Sequence, residues 1–160
     1  MKSFAVVILL LLALTGCNVS FSSGSQAGLP TPTAGTASQQ AEAAEAARQY
    51  LAMIDNQEYE KTWDRAGSAL KATTNKLMWT NVLKASSKAF GSSAQRDIDG
   101  FGFTHKIEAA VPEGDYVTVL FVSKSGNKAH TEKLVMQKEQ GSWKIIGYFA
   151  TVRTEFGART

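Results

Sequence analysis

Cys17 is the one cysteine of this 160-residue chain, and its neighbours specify a chemistry for it. Lys2 is followed by an unbroken apolar run from Phe4 to Leu14 and then by Leu14-Thr15-Gly16-Cys17. A positive start, an apolar stretch short for a bilayer span and small residues at a cut site form the pattern of a bacterial lipoprotein signal. Cleavage before Cys17 would expose its thiol to diacylglyceryl transfer and its amine to a third acyl chain such as palmitate. Two or three chains, at about 0.8 kcal/mol per buried methylene, make attachment to a bilayer close to permanent. Asn18 stands where aspartate would signal retention at an inner membrane, so the expected place is the outer membrane, facing the periplasm.

Elsewhere the reactive residue types are sparse. Asp97 and Asp99 are spaced to share one face of a strand, where two carboxylates can do general acid-base work but more often meet solvent. His105 and His130 are the only histidines, and no spacing recruits them to a metal, so neither metal nor cofactor is expected. Ser86-Ser87 and Ser92-Ser93 lie in no nucleophile elbow. Arg96 and Glu132 fall in strand-like sequence, where a charge facing inward needs a partner. They either pair across a sheet or hold a polar ligand, and Tyr116 and Tyr148 would supply hydroxyls at such a pocket. The candidate ligand-binding residues are therefore Arg96, Tyr116 and Tyr148.

Positioning these residues requires a folded domain, and the composition allows one. Lys and Arg number 17 against 14 Asp and Glu, a near balance without a basic stripe or interleaved aromatics, which argues against nucleic acid as a partner. With the only cysteine given to lipid, no disulfide staples the fold. Residues 1–16 form the signal. Residues 17–38, rich in Ser, Gly, Thr, Ala and Pro, read as the lipidated cysteine and a tether. Residues 39–153 form one domain and 154–160 a tail.

Periodicity divides that domain in two. Ala47, Tyr50, Leu51 and Ile54 repeat at helical offsets within residues 39–56; Tyr59, Thr62, Trp63 and Ala66 do so within 58–71; Trp79, Val82, Leu83 and Phe90 follow Thr73-Thr74, either of which can cap a third helix closed by Gly91. The period then becomes two. Strands are expected over residues 97–107, 116–124, 129–138 and 143–152, separated by Pro112-Glu113-Gly114-Asp115, Ser125-Gly126-Asn127 and Gln140-Gly141. Short turns pair neighbours antiparallel, giving an α+β domain of three N-terminal helices on a four-stranded meander.

Trp63, Trp79, Gly91 with Arg96, Gly114-Asp115-Tyr116, Glu132 and the closing Gly141-Ser142-Trp143-Lys144-Ile145-Ile146-Gly147-Tyr148-Phe149 resemble the bacterial family known as domain of unknown function 4019. The resemblance spans residues 41–150. It departs at Ser123-Lys124-Ser125-Gly126-Asn127, where a more apolar approach to the hairpin is expected. It implies a small exported protein with a topology similar to cystatin-like and nuclear-transport-factor-2-like folds, and it implies little about activity. Two functions follow as expectations. One is a non-catalytic envelope module that binds a periplasmic protein or small ligand. The other is a hydrolase or isomerase using a helix-sheet cavity, with His105 or Asp97 as base and a tyrosine hydroxyl as donor. That second function requires His105 to approach both a carboxylate and an open cavity.

Overall fold

The structure, a computed structural model, describes residues 29–90, 95–108, 111–125 and 128–154. Cys17, the signal, Gly91 and Ser92-Ser93 lie outside the described residues. Four helices, α1 (Ala37–Asp55), α2 (Tyr59–Asp64), α3 (Ser68–Thr73) and α4 (Lys76–Phe90), precede four strands, β1 (Asp97–Thr104), β2 (Tyr116–Ser125), β3 (Lys128–Glu139) and β4 (Ser142–Thr154). The strands form one antiparallel sheet in chain order, and the helices pack on one face of it. The expected α+β meander is the observed one.

Helix α1 is stopped at its start by a capping box: Thr36 Oγ1 accepts from Gln39 N, and Gln39 Oε1 accepts from Thr36 N. Its stripe of Ala43, Ala47, Tyr50, Leu51 and Ile54 is buried, as the periodicity predicts. The expected second helix breaks into α2 and α3. At the break, Gly67 N donates to Ile145 O of β4 at 2.8 Å, and a Cβ on Gly67 would stand 2.7 Å from Ile146 Cγ2. A backbone docked that closely on a strand cannot continue a helical ladder. Glu139 then accepts from both Ser68 N and Ser68 Oγ at 2.7 Å, capping α3 from the sheet. Helix α4 is capped by Asn75, whose Oδ1 accepts from Met78 N, and not by Thr73 or Thr74; Thr73 Oγ1 turns back on the Leu70 carbonyl.

Two irregularities set which strand residues face the helices. In β1 the register jumps between Ile98 and Gly100, so Asp99 is extra and Ile98, Phe101 and Phe103 all reach the core side opposite Phe121, Val119 and Val117. In β4 it jumps between Ile145 and Gly147, so the row of Trp143 and Ile145 continues through Tyr148 rather than Phe149, which is exposed. Simple alternation along the strand would put Phe149, not Tyr148, on the side of Trp143. Strand β1 ends at Thr104, short of residue 107, because Thr104 Oγ1 bonds both the N and the O of Lys106 and curls the chain.

The fold also begins upstream of residue 39. Thr33 and Phe103 exchange both backbone hydrogen bonds, at 2.7 and 2.8 Å, so the end of the expected tether lies along the free edge of β1. Gly35, at φ 73°, then swings the chain into α1, and a Cβ there would fall 2.5 Å from the Phe103 ring.

Candidate functional site

Polar side chains gather at two places near opposite ends of β1 and β2. Arg96, just before β1, sits beside the Asp97 and Val122 pair, whereas Tyr116 opens β2 opposite Thr104. Six residues of strand separate Val122 from Tyr116, or about 20 Å. The three candidate ligand residues therefore do not converge.

At the first place Arg96 is clamped by two carboxylates. Its Nη1 and Nη2 donate to Asp55 Oδ2 and Oδ1 at 2.6 and 2.9 Å, and Nε and Nη2 donate to the two oxygens of Glu132. Tyr148 completes the cluster by donating its hydroxyl to Glu132 Oε1 at 2.8 Å. The Arg96 and Glu132 side chains are only 12% and 10% exposed. Burial opposes the Arg96 charge, but hydrogen bonds to Asp55 and Glu132 more than offset it and hold the guanidinium protonated beyond its ordinary range. Burial, followed by the charge and hydrogen bond of Glu132, pushes the Tyr148 phenol well above its usual range. Arg96, just before β1, and Glu132 of β3 do pair, one of the two expected outcomes. Asp55, at the end of α1, was missed: it sits 41 residues before Arg96, and only the fold brings them together. The cluster ties the helix layer to β3 and β4, and its directional donors are engaged within the protein.

At the second place a cleft of about 320 Å³ opens between the N-terminal strap and the sheet. Pro30, Thr31 and Thr33 form one side; Phe103, Tyr116 and Trp143 form the floor; His105, Asp115 and Lys138 stand at the rim. Trp143 meets Phe103 edge-on with ring centroids 6.0 Å apart, and Lys138 Nζ lies 5.4 Å from the Trp143 ring while pairing with Glu42 Oε2 at 2.9 Å. Tyr116 is 1% exposed, and its hydroxyl donates to Pro112 O at 2.6 Å. The Nε1–H of Trp143 is buried and has no acceptor among the described residues. An orphaned donor of this kind costs about 1 to 3 kcal/mol unless something supplies the acceptor.

The geometric condition on His105 is met. Its Nδ1 lies 2.9 Å from Asp115 Oδ1, and both residues line the cleft, although their side chains are 86% and 58% exposed. Asp97 and His130 instead line a separate opening at the far end of β1 to β3, and Asp99 is exposed at its bulge. Among the described residues no group of three His, Cys, Asp or Glu side chains can hold a metal ion. No helix among them is long and apolar enough to cross a membrane.

The family model for a protein of unknown function, DUF4019, matches residues 46–148. The chain belongs to that family. The DUF4019 segment contains the whole Arg96 cluster and the floor and rim of the cleft, but not the strap of residues 29–36 that closes it. No curated protein and no solved structure matches the chain.

Proposed function

We propose that this DUF4019 protein is a lipid-anchored bacterial envelope protein whose domain is a non-catalytic binding module, taking its ligand in the cleft over Tyr116 and Trp143. The signal ending at Cys17 supports the anchor: the acylated cysteine holds the chain in the bilayer, at the outer membrane facing the periplasm, and no cofactor takes part. The unpaired, buried Nε1–H of Trp143, a residue that lines an open, aromatic-floored cleft, carries the binding reading. The fitting ligand is a small molecule or a short periplasmic protein segment that presents a hydrogen-bond acceptor to the indole and an apolar face to Phe103. The test is native mass spectrometry of the protein purified from its own envelope, with the Cys17 peptide analysed for acyl mass. A co-purifying species present on the natural chain and absent from Trp143→Phe supports the module; equal retention by both removes it. An unmodified Cys17 removes the anchor.

The His105–Asp115 pair at the rim favours a second reading, a hydrolase or isomerase with His105 as base. Tyr116, its expected donor, is engaged with the Pro112 carbonyl and is not free to protonate a substrate. A ligand taken up by the natural protein without chemical change excludes it, whereas turnover by the natural protein that is lost in His105→Ala while uptake is kept establishes it.

A further inference from the structure

A second cavity, of about 380 Å³, lies between the end of α1 and the C-terminal half of α4, apart from the cleft. Lys84 and Lys88 border it one helical turn apart, with Ser87 between them. Among the described residues neither lysine has a carboxylate at ion-pair distance, in contrast to Lys76 on the same helix, which pairs with Glu60 and Asp64. The one acid at the cavity, Asp55, already gives both oxygens to Arg96. Ser87 Oγ is buried there without a partner. Two uncompensated ammonium groups one helical turn apart suit a phosphate oxyanion.

The rest of α4 indicates which phosphate. The helix Lys76–Phe90 contains three lysines and no acid, and Leu77, Met78 and Val82 on its outer side are 68%, 57% and 49% exposed. Exposed apolar side chains flanked by lysines are the pattern of a helix lying in a bilayer interface, and its charge complements an anionic leaflet. We infer that α4 rests on an anionic phospholipid surface, with a headgroup phosphate between Lys84 and Lys88 and with Leu77, Met78 and Val82 in the acyl boundary. This rests on the proposed anchor for proximity alone. From Cys17 to Leu29 the chain reaches about 40 Å fully extended, well beyond the domain's radius of gyration of roughly 14 Å, so the tether lets α4 touch the membrane.

The test uses the full chain purified from its envelope, with Ala85→Cys carrying an environment-sensitive fluorophore between the lysines. Placed on nanodiscs of phosphatidylcholine with about a quarter phosphatidylglycerol, the label shifts to the blue, and on pure phosphatidylcholine it does not. The double substitution Lys84→Glu with Lys88→Glu, at unchanged melting temperature, weakens the response at least about tenfold. No shift on the anionic discs, or a shift indifferent to the double substitution, overturns the inference. A response to glycerol phosphate in solution without one to anionic discs assigns the cavity to free phosphate esters and also overturns the lipid surface. If Cys17 carries no acyl mass, the label on Ala85→Cys in a Cys17→Ser background, read with added anionic vesicles, still decides the α4 site separately from the anchor.

Discussion

Trp79 and Trp143 are both buried indoles, 5% and 7% exposed, but Trp79 donates its Nε1–H to Thr62 Oγ1 at 2.8 Å while Trp143 donates to nothing described. The same contrast separates the two polar regions. In the Arg96 cluster an arginine, two carboxylates and a phenol bond one another at low exposure. In the cleft the His105–Asp115 pair faces solvent, and the buried Trp143 donor is idle. Burial with satisfied bonds fits a structural lock, whereas an idle donor beside an opening leaves work for a ligand. The difference corrects a natural assumption, that charged residues inside a small domain mark its site.

If the cluster is the lock, breaking it has the largest effect. Arg96→Met leaves Asp55 and Glu132 facing each other at low exposure, and urea unfolding is expected to show a loss of about 3 to 5 kcal/mol, with ligand uptake by the surviving folded fraction unchanged. A loss below about 1 kcal/mol would class the cluster with surface ion pairs and break the comparison. Tyr148→Phe removes one hydrogen bond to a charged acceptor and is expected to cost about 1.5 to 3 kcal/mol. It also changes the alkaline limb of stability. Because the folded pKa of Tyr148 is raised, its contribution is complete below the unfolded value near 10 and declines as pH climbs toward the folded one. Natural protein should therefore lose about 1.4 kcal/mol per pH unit more steeply above pH 10 than Tyr148→Phe does.

Thr62→Val brings the comparison to a single atom. Thr62 is fully buried, accepts from Trp79 and donates to Tyr59 O at 2.6 Å, so valine keeps the shape and orphans the Trp79 indole. The expected cost is about 1 to 3 kcal/mol. His105→Ala should cost under about 1 kcal/mol, since its pair with Asp115 stands in solvent; a larger loss in thermal unfolding would mean that the rim closes over the cleft.

Most of the secondary structure was legible because it follows from local pattern: helical offsets buried Tyr50, Leu51 and Ile54, and period-two runs gave β2 and β3. What failed depended on contacts distant in sequence. Gly67 ends a helix because Ile145 takes its N–H, and Thr33 joins the sheet because β1 offers a free edge. A bulge moved Tyr148, not Phe149, into the row of Trp143. For the site, the Arg96 and Glu132 pairing could be anticipated from charges in strand sequence, but Asp55 could not. His105 and Asp115 were both visible, yet their meeting depends on a loop that returns Gly114 N to His105 O at 3.0 Å.

Trp143→Phe is the smallest expected change in stability and bears most directly on the cleft. Replacing the indole by a phenyl ring sacrifices apolar contact with Phe103 and Lys138, but it also deletes the buried N–H that lacks an acceptor. The two effects oppose each other, so chemical unfolding should place the variant within about 1 kcal/mol of the natural protein. Trp79→Phe loses contact in the same way, but it also breaks a satisfied bond and leaves Thr62 Oγ1 without its donor. Its cost should exceed that of Trp143→Phe by about 1 to 3 kcal/mol. Ligand then separates the indoles a second time. A bound species raises the melting temperature by mass action on the folded state, and Trp143→Phe should abolish that rise while Trp79→Phe lowers the baseline and keeps it. Equal costs for the two substitutions would mean that Trp143 finds an acceptor in solution without any ligand, and the cleft would lose the feature that distinguishes it from a surface groove.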